Sequence, residues 1–311
     1  MSKNKQQSII IMRKLLFLFT VLAFISCDKN DIDIPVDPDF VSKTIEYKKV
    51  DGVDKNLLSL DIYYDNNFTE KSPVIVYVHG GGWAIGDKTN KLTKKIEMCR
   101  DSGYVLVSVN YRLSPFPYEL DNPGRIKFPV HPQDVADAVK YIYDNIGDFG
   151  GDRDNMLIMG HSAGAHIVSL ICTDNTYLNS VGLSAKIFKG IISLDSAGFD
   201  VERAINNTTP GSLSYQMYIN AFGDDSQIWH NASPAYHVSD DNCDKWLIIY
   251  RGTSKRVAIQ TDFIASLRSI GISVEELFAV DYSHSGVNDA IGDKDDTVIN
   301  PVVQEFIKYV F

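Results

Sequence analysis

Gly160-His161-Ser162-Ala163-Gly164 follows the apolar run Met156-Leu157-Ile158-Met159, and this stretch decides the fold. A serine on a tight turn between a strand and a helix needs small neighbours, because its backbone is strained and the next helix packs close. Upstream, His79-Gly80-Gly81-Gly82-Trp83 follows a second strand-like run, Val74-Ile75-Val76-Tyr77-Val78. A glycine run behind a strand leaves backbone N–H groups bare, and these can bind an oxyanion as it develops. Either motif alone marks little more than a turn or a flexible loop. The pair, each directly behind an apolar strand and in this order, describes acyl transfer by a serine nucleophile.

Strands and helices alternate on both sides of these motifs from about Val41 onward, which predicts an α/β fold with a mainly parallel central sheet. Lys43–Lys49 and Leu58–Tyr64 read as an opening antiparallel hairpin around Asp51-Gly52. In the second of these, Ser59, Asp61 and Tyr63 alternate with Leu60, Ile62 and Tyr64, as in a half-exposed strand. Tyr104–Asn110, Ile191–Leu194, Trp246–Tyr250 and Val274–Val280 supply further strands. Helices are expected over Lys91–Ser102, Asp134–Tyr143, Ala165–Cys172 and Val302–Phe311, with another containing Ala265–Ser269. Residues 198–245 form a longer insertion carrying Tyr215, Tyr218, Phe222, Trp229 and Tyr236; it suits a small cap over the site, or a plain surface insertion.

The first residues read as a targeting segment. Arg13-Lys14, the apolar run Leu15–Ile25 and the small-residue close Ser26-Cys27 have the charged, apolar and cleavage regions of an export signal. The run is shorter than the ~20 residues a spanning helix needs. Met12 is a better start than Met1, and Phe24-Ile25-Ser26-Cys27 resembles a loose bacterial lipobox with Cys27 as the lipidated residue. The expected organisation is therefore a signal at 1–26, a lipidated cysteine and acidic tether at 27–42, and one catalytic domain at 43–311. Cys99, Cys172 and Cys243 are too few and too scattered for a disulfide framework and lack metal-ligand spacing, so no metal and no cofactor is expected. A formal charge of −10 argues against nucleic acid and against an anionic surface bound by the protein itself. Membrane attachment would come through the lipid on Cys27.

With these residues in view, the chain resembles the α/β-hydrolase superfamily over about residues 43–311, in particular the bacterial carboxylesterases with H-G-G-G near the oxyanion hole. Val109-Asn110-Tyr111-Arg112-Leu113-Ser114, Gly150-Gly151-Asp152 and Ser233-Pro234 are further matching pieces. The resemblance implies helices on both faces of the sheet and Ser162 as nucleophile. It also implies an oxyanion hole from the N–H groups of Gly81, Gly82 and Ala163, with Trp83 lining the entrance. His284, just past the last strand, is the expected base, in the chain order of the family. His161 and His166 flank the serine and cannot easily curl back on it, while His79 is placed to brace the glycine loop. His131, His230 and His237 read as structural or solvated.

The acid departs from the pattern. Relatives commonly carry it as H-G-x-x-D after the strand matching Trp246–Tyr250, but here the stretch is Arg251-Gly252-Thr253-Ser254-Lys255-Arg256. A cation cannot accept the imidazole N–H. Leu194-Asp195-Ser196-Ala197 resembles the segment of pancreatic-type lipases that carries their acid one strand earlier, which makes Asp195 the first candidate. Asp200 and Asp262 follow, and a chain with no acid at all stays open.

The resemblance implies a serine carboxylesterase for short acyl or aryl-acyl esters, such as feruloyl or acetyl groups on polysaccharide side chains. An arylformamidase-like amide hydrolase shares the motifs. A catalytically impaired carbohydrate-binding lipoprotein would account for Lys255-Arg256 at the usual acid position.

Overall fold

The computed structural model describes residues 39–196 and 198–311. The expected export signal, Cys27 and most of the tether lie outside the described residues. Strand β1 (Phe40–Glu46) begins inside what the sequence assigns to the tether. It pairs antiparallel with β2 (Ser59–Asp65), so the opening hairpin is present. Then come β3 (Ser72–Val78), helix α1 (Thr93–Ser102), β4 (Val105–Val109), α2 (Val130–Asn145) and β5 (Gly151–His161). Helices α3 (Ala163–Thr173) and α4 (Asn175–Ser180) lead into β6 (Phe188–Leu194). Short helices α5 (Val201–Asn206), α6 (Leu213–Phe222) and α7 (Ser226–Asn231) fill the insertion before β7 (Lys245–Tyr250). The chain closes with α8 (Ser254–Ser269), β8 (Ser273–Phe278), α9 (His284–Asp289) and α10 (Ile299–Val310).

The eight strands make one sheet in the order β1-β2-β4-β3-β5-β6-β7-β8, parallel from β4 to β8. Alternate residues of each inner strand point to opposite faces, and here both faces are covered. Val74, Val76 and Val78, with Met156, Ile158 and Ile191, join a core built on α2 and α3. On the opposite side Gly190 of β6 meets Phe306 and Val310 of α10. Tyr77 lies under Lys95 of α1. Such two-sided burial explains the near-continuous apolar runs of the parallel strands.

One expectation fails in β2. The alternating pattern places Asp61 and Ser59 toward water, yet they are 6% and 3% exposed. Asp61 accepts from Thr44 Oγ1 at 2.6 Å, and Lys88 Nζ lies 3.6 Å from its carboxylate. A buried carboxylate held this way is tolerated inside, and an alternating pattern alone cannot tell it from a solvated one.

β5 sits between β3 and β6, so the serine turn at its end has the glycine loop on one side and the end of β6 on the other. The helix after the turn comes so close that a Cβ on Gly164 would overlap the carbonyls of Val78 and His79. Backbone cannot yield as a flexible side chain does. Gly164→Ala is therefore expected to cost about 3 kcal/mol or more, read as a lower denaturation midpoint in urea; a midpoint within error of wild type would contradict the packing.

Candidate active site

Ser162 has φ 56° and ψ −115°, outside the ordinary regions for an L-residue, and its side chain caps no hydrogen bond of α3. Holding a non-glycine residue there costs roughly 1–3 kcal/mol. The Ser162 N–H donates to Leu194 O at 2.9 Å, which ties the turn to the end of β6. The hydroxyl points to His284, whose Nε2 lies 2.8 Å from Ser162 Oγ. On the other side of the ring, His284 Nδ1 is 2.6 Å from Asp195 Oδ2. A carboxylate only accepts, so Nδ1 carries the proton and Nε2 is left to accept from the serine hydroxyl. The ring of His161 lies 4.7 Å from that of His284, tilted by 37°, and His161 Nε2 donates to the His284 carbonyl at 2.9 Å. Burial, then the nearby His284, pulls His161 down to about 3, so it is a neutral buttress.

Asp195 is fully buried and takes the left-handed backbone, φ 46°. Burial pushes its carboxyl upward, but the His284 hydrogen bond and the charges of Arg256 and Arg251 outweigh it and hold the carboxyl below its ordinary value. Arg256 Nη2 donates to Asp195 Oδ1 at 2.8 Å and to the carbonyls of Asp195 and Ser196 at 2.9 and 2.8 Å. Arg251 Nη1 stands 3.5 Å from Oδ2. Two arginines from the stretch that lacks the usual acid thus clamp the carboxylate arriving from the neighbouring strand, and Lys255, at the usual acid position itself, makes no ion pair with it. Sequence reasoning missed this role; the signal was two arginines where an acid was absent. The other two candidates are engaged elsewhere. Asp200 caps α5 through the Arg203 N–H, and Asp262, 65% exposed, pairs with Arg203 Nη1 at 2.8 Å.

The glycine loop is braced from below. Tyr111 Oη donates to His79 O at 3.1 Å, the Ser114 N–H to Trp83 O at 2.7 Å, and His79 Nδ1 lies 2.7 Å from Gly80 O. Gly81 has φ 113°, and a Cβ there would run into the Ile85 carbonyl. Among the described residues the N–H groups of Gly81 and Gly82 have no protein acceptor, and Ala163, first in α3, has no intrahelical one. Gly80, directly before Gly81 and Gly82, lies against the serine, where an added Cβ would stand 3.0 Å from the Ser162 Cβ.

Trp83 must be corrected. It is 0% exposed, and its indole packs on Phe222 (4.8 Å), His166 (5.3 Å) and Tyr218 (5.6 Å). Its N–H donates to His166 Nδ1 at 3.3 Å. With φ 60° the backbone turns the side chain inward, so Trp83 supports the floor of the site instead of lining its entrance. Met217 of α6 lies over Gly82, where a Cβ would meet its sulfur at 2.7 Å.

The family model for BD-FAE matches residues 60–261, about two thirds of the chain. The chain belongs to the BD-FAE family. Esterase LipQ of Mycobacterium tuberculosis is similar to it, at 32% identity over 131 residues, 42% of this chain and 29% of that protein. This BD-FAE chain spans less than a third of the length of the curated relatives it matches first. Esterase B from Lactobacillus rhamnosis has a similar fold, with TM-score 0.69, 16% identity and coverage of 99% of this chain and 95% of that one. So does a truncated carbohydrate esterase from gut microbiota, with TM-score 0.68, 16% identity and coverage of 89% and 98%. The BD-FAE chain thus has the α/β-hydrolase fold of these esterases. Among the described residues no cluster of three or more metal-ligating side chains occurs, and no helix is long and apolar enough to cross a membrane.

Behind the histidine, Lys95 is 1% exposed and donates to Lys91 O at 3.0 Å and Asn288 O at 2.9 Å, which pins α9. Burial pulls its ammonium from 10.5 to about 7, against the opposing pull of Asp289. Between those two values the unfolded chain binds more protons than the folded one, so this site's contribution to stability rises with pH across that window. The melting temperature of wild type relative to Lys95→Met should therefore climb as pH goes from about 7 to about 10; a flat difference would contradict a titrating buried ammonium.

Proposed function

We propose that this protein is a serine carboxylesterase that removes short acyl or aryl-acyl groups through an acyl-enzyme intermediate. The observation that carries this reading is the hydrogen-bonded line from Ser162 Oγ through His284 to Asp195. As Oγ attacks the ester carbonyl, its proton passes to His284 Nε2. Asp195 accepts the Nδ1–H and stabilises the imidazolium. The carbonyl oxygen, now an oxyanion, lies against the N–H groups of Gly81, Gly82 and Ala163. His284 then returns the proton to the leaving alkoxide, and a water repeats the sequence to free the acid.

Similarity to proteins named as esterases supports the ester bond as target, and similarity of fold to a carbohydrate esterase fits acyl groups on polysaccharide side chains. The impaired, carbohydrate-binding alternative drew its motive from Lys255-Arg256; with Arg256 on Asp195 that motive is gone. An arylformamidase-like activity is separated by comparing an ester with its N-formyl anilide counterpart. We further propose that the chain is exported and anchored by lipid on Cys27, which mass spectrometry of the membrane fraction and of a Cys27→Ser variant would test.

Ser162→Ala should abolish hydrolysis of para-nitrophenyl acetate and labelling by a fluorophosphonate probe. Asp195→Asn should fold and lower kcat by about 10³–10⁴, because the imidazole loses its tautomer and the imidazolium its partner. Equal rates in wild type and Ser162→Ala would refute the esterase.

A further inference from the structure

The histidine that faces Ser162 stands on a short element. Helix α9 has six residues, of which only Val287 and Asn288 are buried, and the His284 side chain is 42% exposed. A helix of fewer than two turns has no stability of its own, and so open a ring is not fixed by packing alone. The place of His284 Nε2 against Ser162 Oγ therefore depends on what holds the backbone of α9.

Three buried polar side chains hold it, and they come from three other elements. At its first residue, the His284 carbonyl accepts from His161 Nε2 at the end of β5. One turn on, Asn288 accepts twice: its backbone carbonyl from Lys95 Nζ of α1 at 2.9 Å, and its Oδ1 from Tyr77 Oη of β3 at 2.9 Å. Tyr77 and Lys95 are each 1% exposed, and Asn288 is 5% exposed. Lys95 Nζ also lies 5.2 Å from the centre of the Tyr77 ring, so the two donors support each other. Burial raises the pKa of the Tyr77 hydroxyl, which keeps it a neutral donor. Beyond α9 the chain stays against α1, where a Cβ on Gly292 would overlap the Lys94 carbonyl. Packing alone would be served by a phenylalanine at 77 and an apolar residue at 288. A hydroxyl and an amide paired in the core add direction, because a satisfied buried network admits one arrangement. The hydroxyl belongs to the strand that runs straight into the glycine loop, so one strand serves both the oxyanion donors and the base.

We propose that Tyr77 and Asn288 are positioning residues for the base, acting with Lys95 and His161 to hold α9 where His284 Nε2 can take the serine proton. They touch no reacting atom, and the inference rests on the esterase reading. A misplacement of about 1 Å can cost about 10²-fold in rate, so one hydrogen bond lost from this network shows in kcat.

Tyr77→Phe removes the hydroxyl and keeps the ring. With para-nitrophenyl acetate it should lower kcat about tenfold and leave KM within about twofold of wild type. Asn288→Ala removes the same hydrogen bond from the other side. Its double variant with Tyr77→Phe should be no slower than Asn288→Ala alone, because both act through one contact. The deciding background is His284→Ala, whose residual hydrolysis comes from the oxyanion hole and binding; there Tyr77→Phe should change nothing. Ile142→Val, a buried change in α2, controls for lost stability and should keep the wild-type kcat. An unchanged kcat in Tyr77→Phe, or in Asn288→Ala should Tyr77→Phe fail to fold, would overturn the positioning role and leave the esterase intact. So would an equal loss with and without His284. A wild type that leaves the ester untouched would overturn the esterase reading, and the positioning role with it.

Discussion

A single buried carboxylate organises this site. Asp195 has no solvent exposure, and an unpaired charge so placed costs several kcal/mol. His284, from the segment after β8, and Arg251 and Arg256, from the segment after β7, offset that cost. Arg256 alone grips the carboxylate and two backbone carbonyls, so it fixes the turn as well as the charge. The Asp195 N–H donates to Ile249 O at 2.7 Å, which locks the end of β6 to β7. Since Ser162 N–H is bound to Leu194 O, the acid and the nucleophile are held by the same strand end.

Backbone strain collects around this centre. Trp83, Ser162 and Asp195 all have positive φ without being glycine, at 60°, 56° and 46°. Each position costs roughly 1–3 kcal/mol, and the surroundings must over-determine it. The buried stack of Trp83, His166, Phe222 and Tyr218 does so beneath the glycine loop, and α6 supplies two of its four members. The insertion is therefore joined to the floor of the site as well as to its rim. Met217, next to Tyr218 in the same helix, reaches the loop from above.

What the sequence disclosed follows the range of each interaction. Ser162, Gly81 and Gly82 were legible because their conformations are dictated by immediate neighbours, and His284 because chain order places it after the last strand. Asp195 was only one of three open candidates. Its partner Arg256 lies 61 residues away, and nothing local says that a cation faces a carboxylate from another strand. Trp83 was misplaced for a related reason: a residue after a glycine run reads as rim, and its φ of 60° is invisible in the letters. The burial of Asp61 depends on Lys88 and Thr44, again beyond a two-residue period. The helices of the insertion run 6, 10 and 6 residues, too short for periodicity to declare them.

Proton NMR of the His284 imidazole tests most directly whether Asp195 is the acid. A proton held between Nδ1 and a buried carboxylate should give a low-field resonance that is absent from His284→Ala. The account predicts that the resonance is lost in Asp195→Asn and kept in Asp200→Asn and Asp262→Asn. Its survival in Asp195→Asn, or its loss in Asp262→Asn, would contradict the assignment.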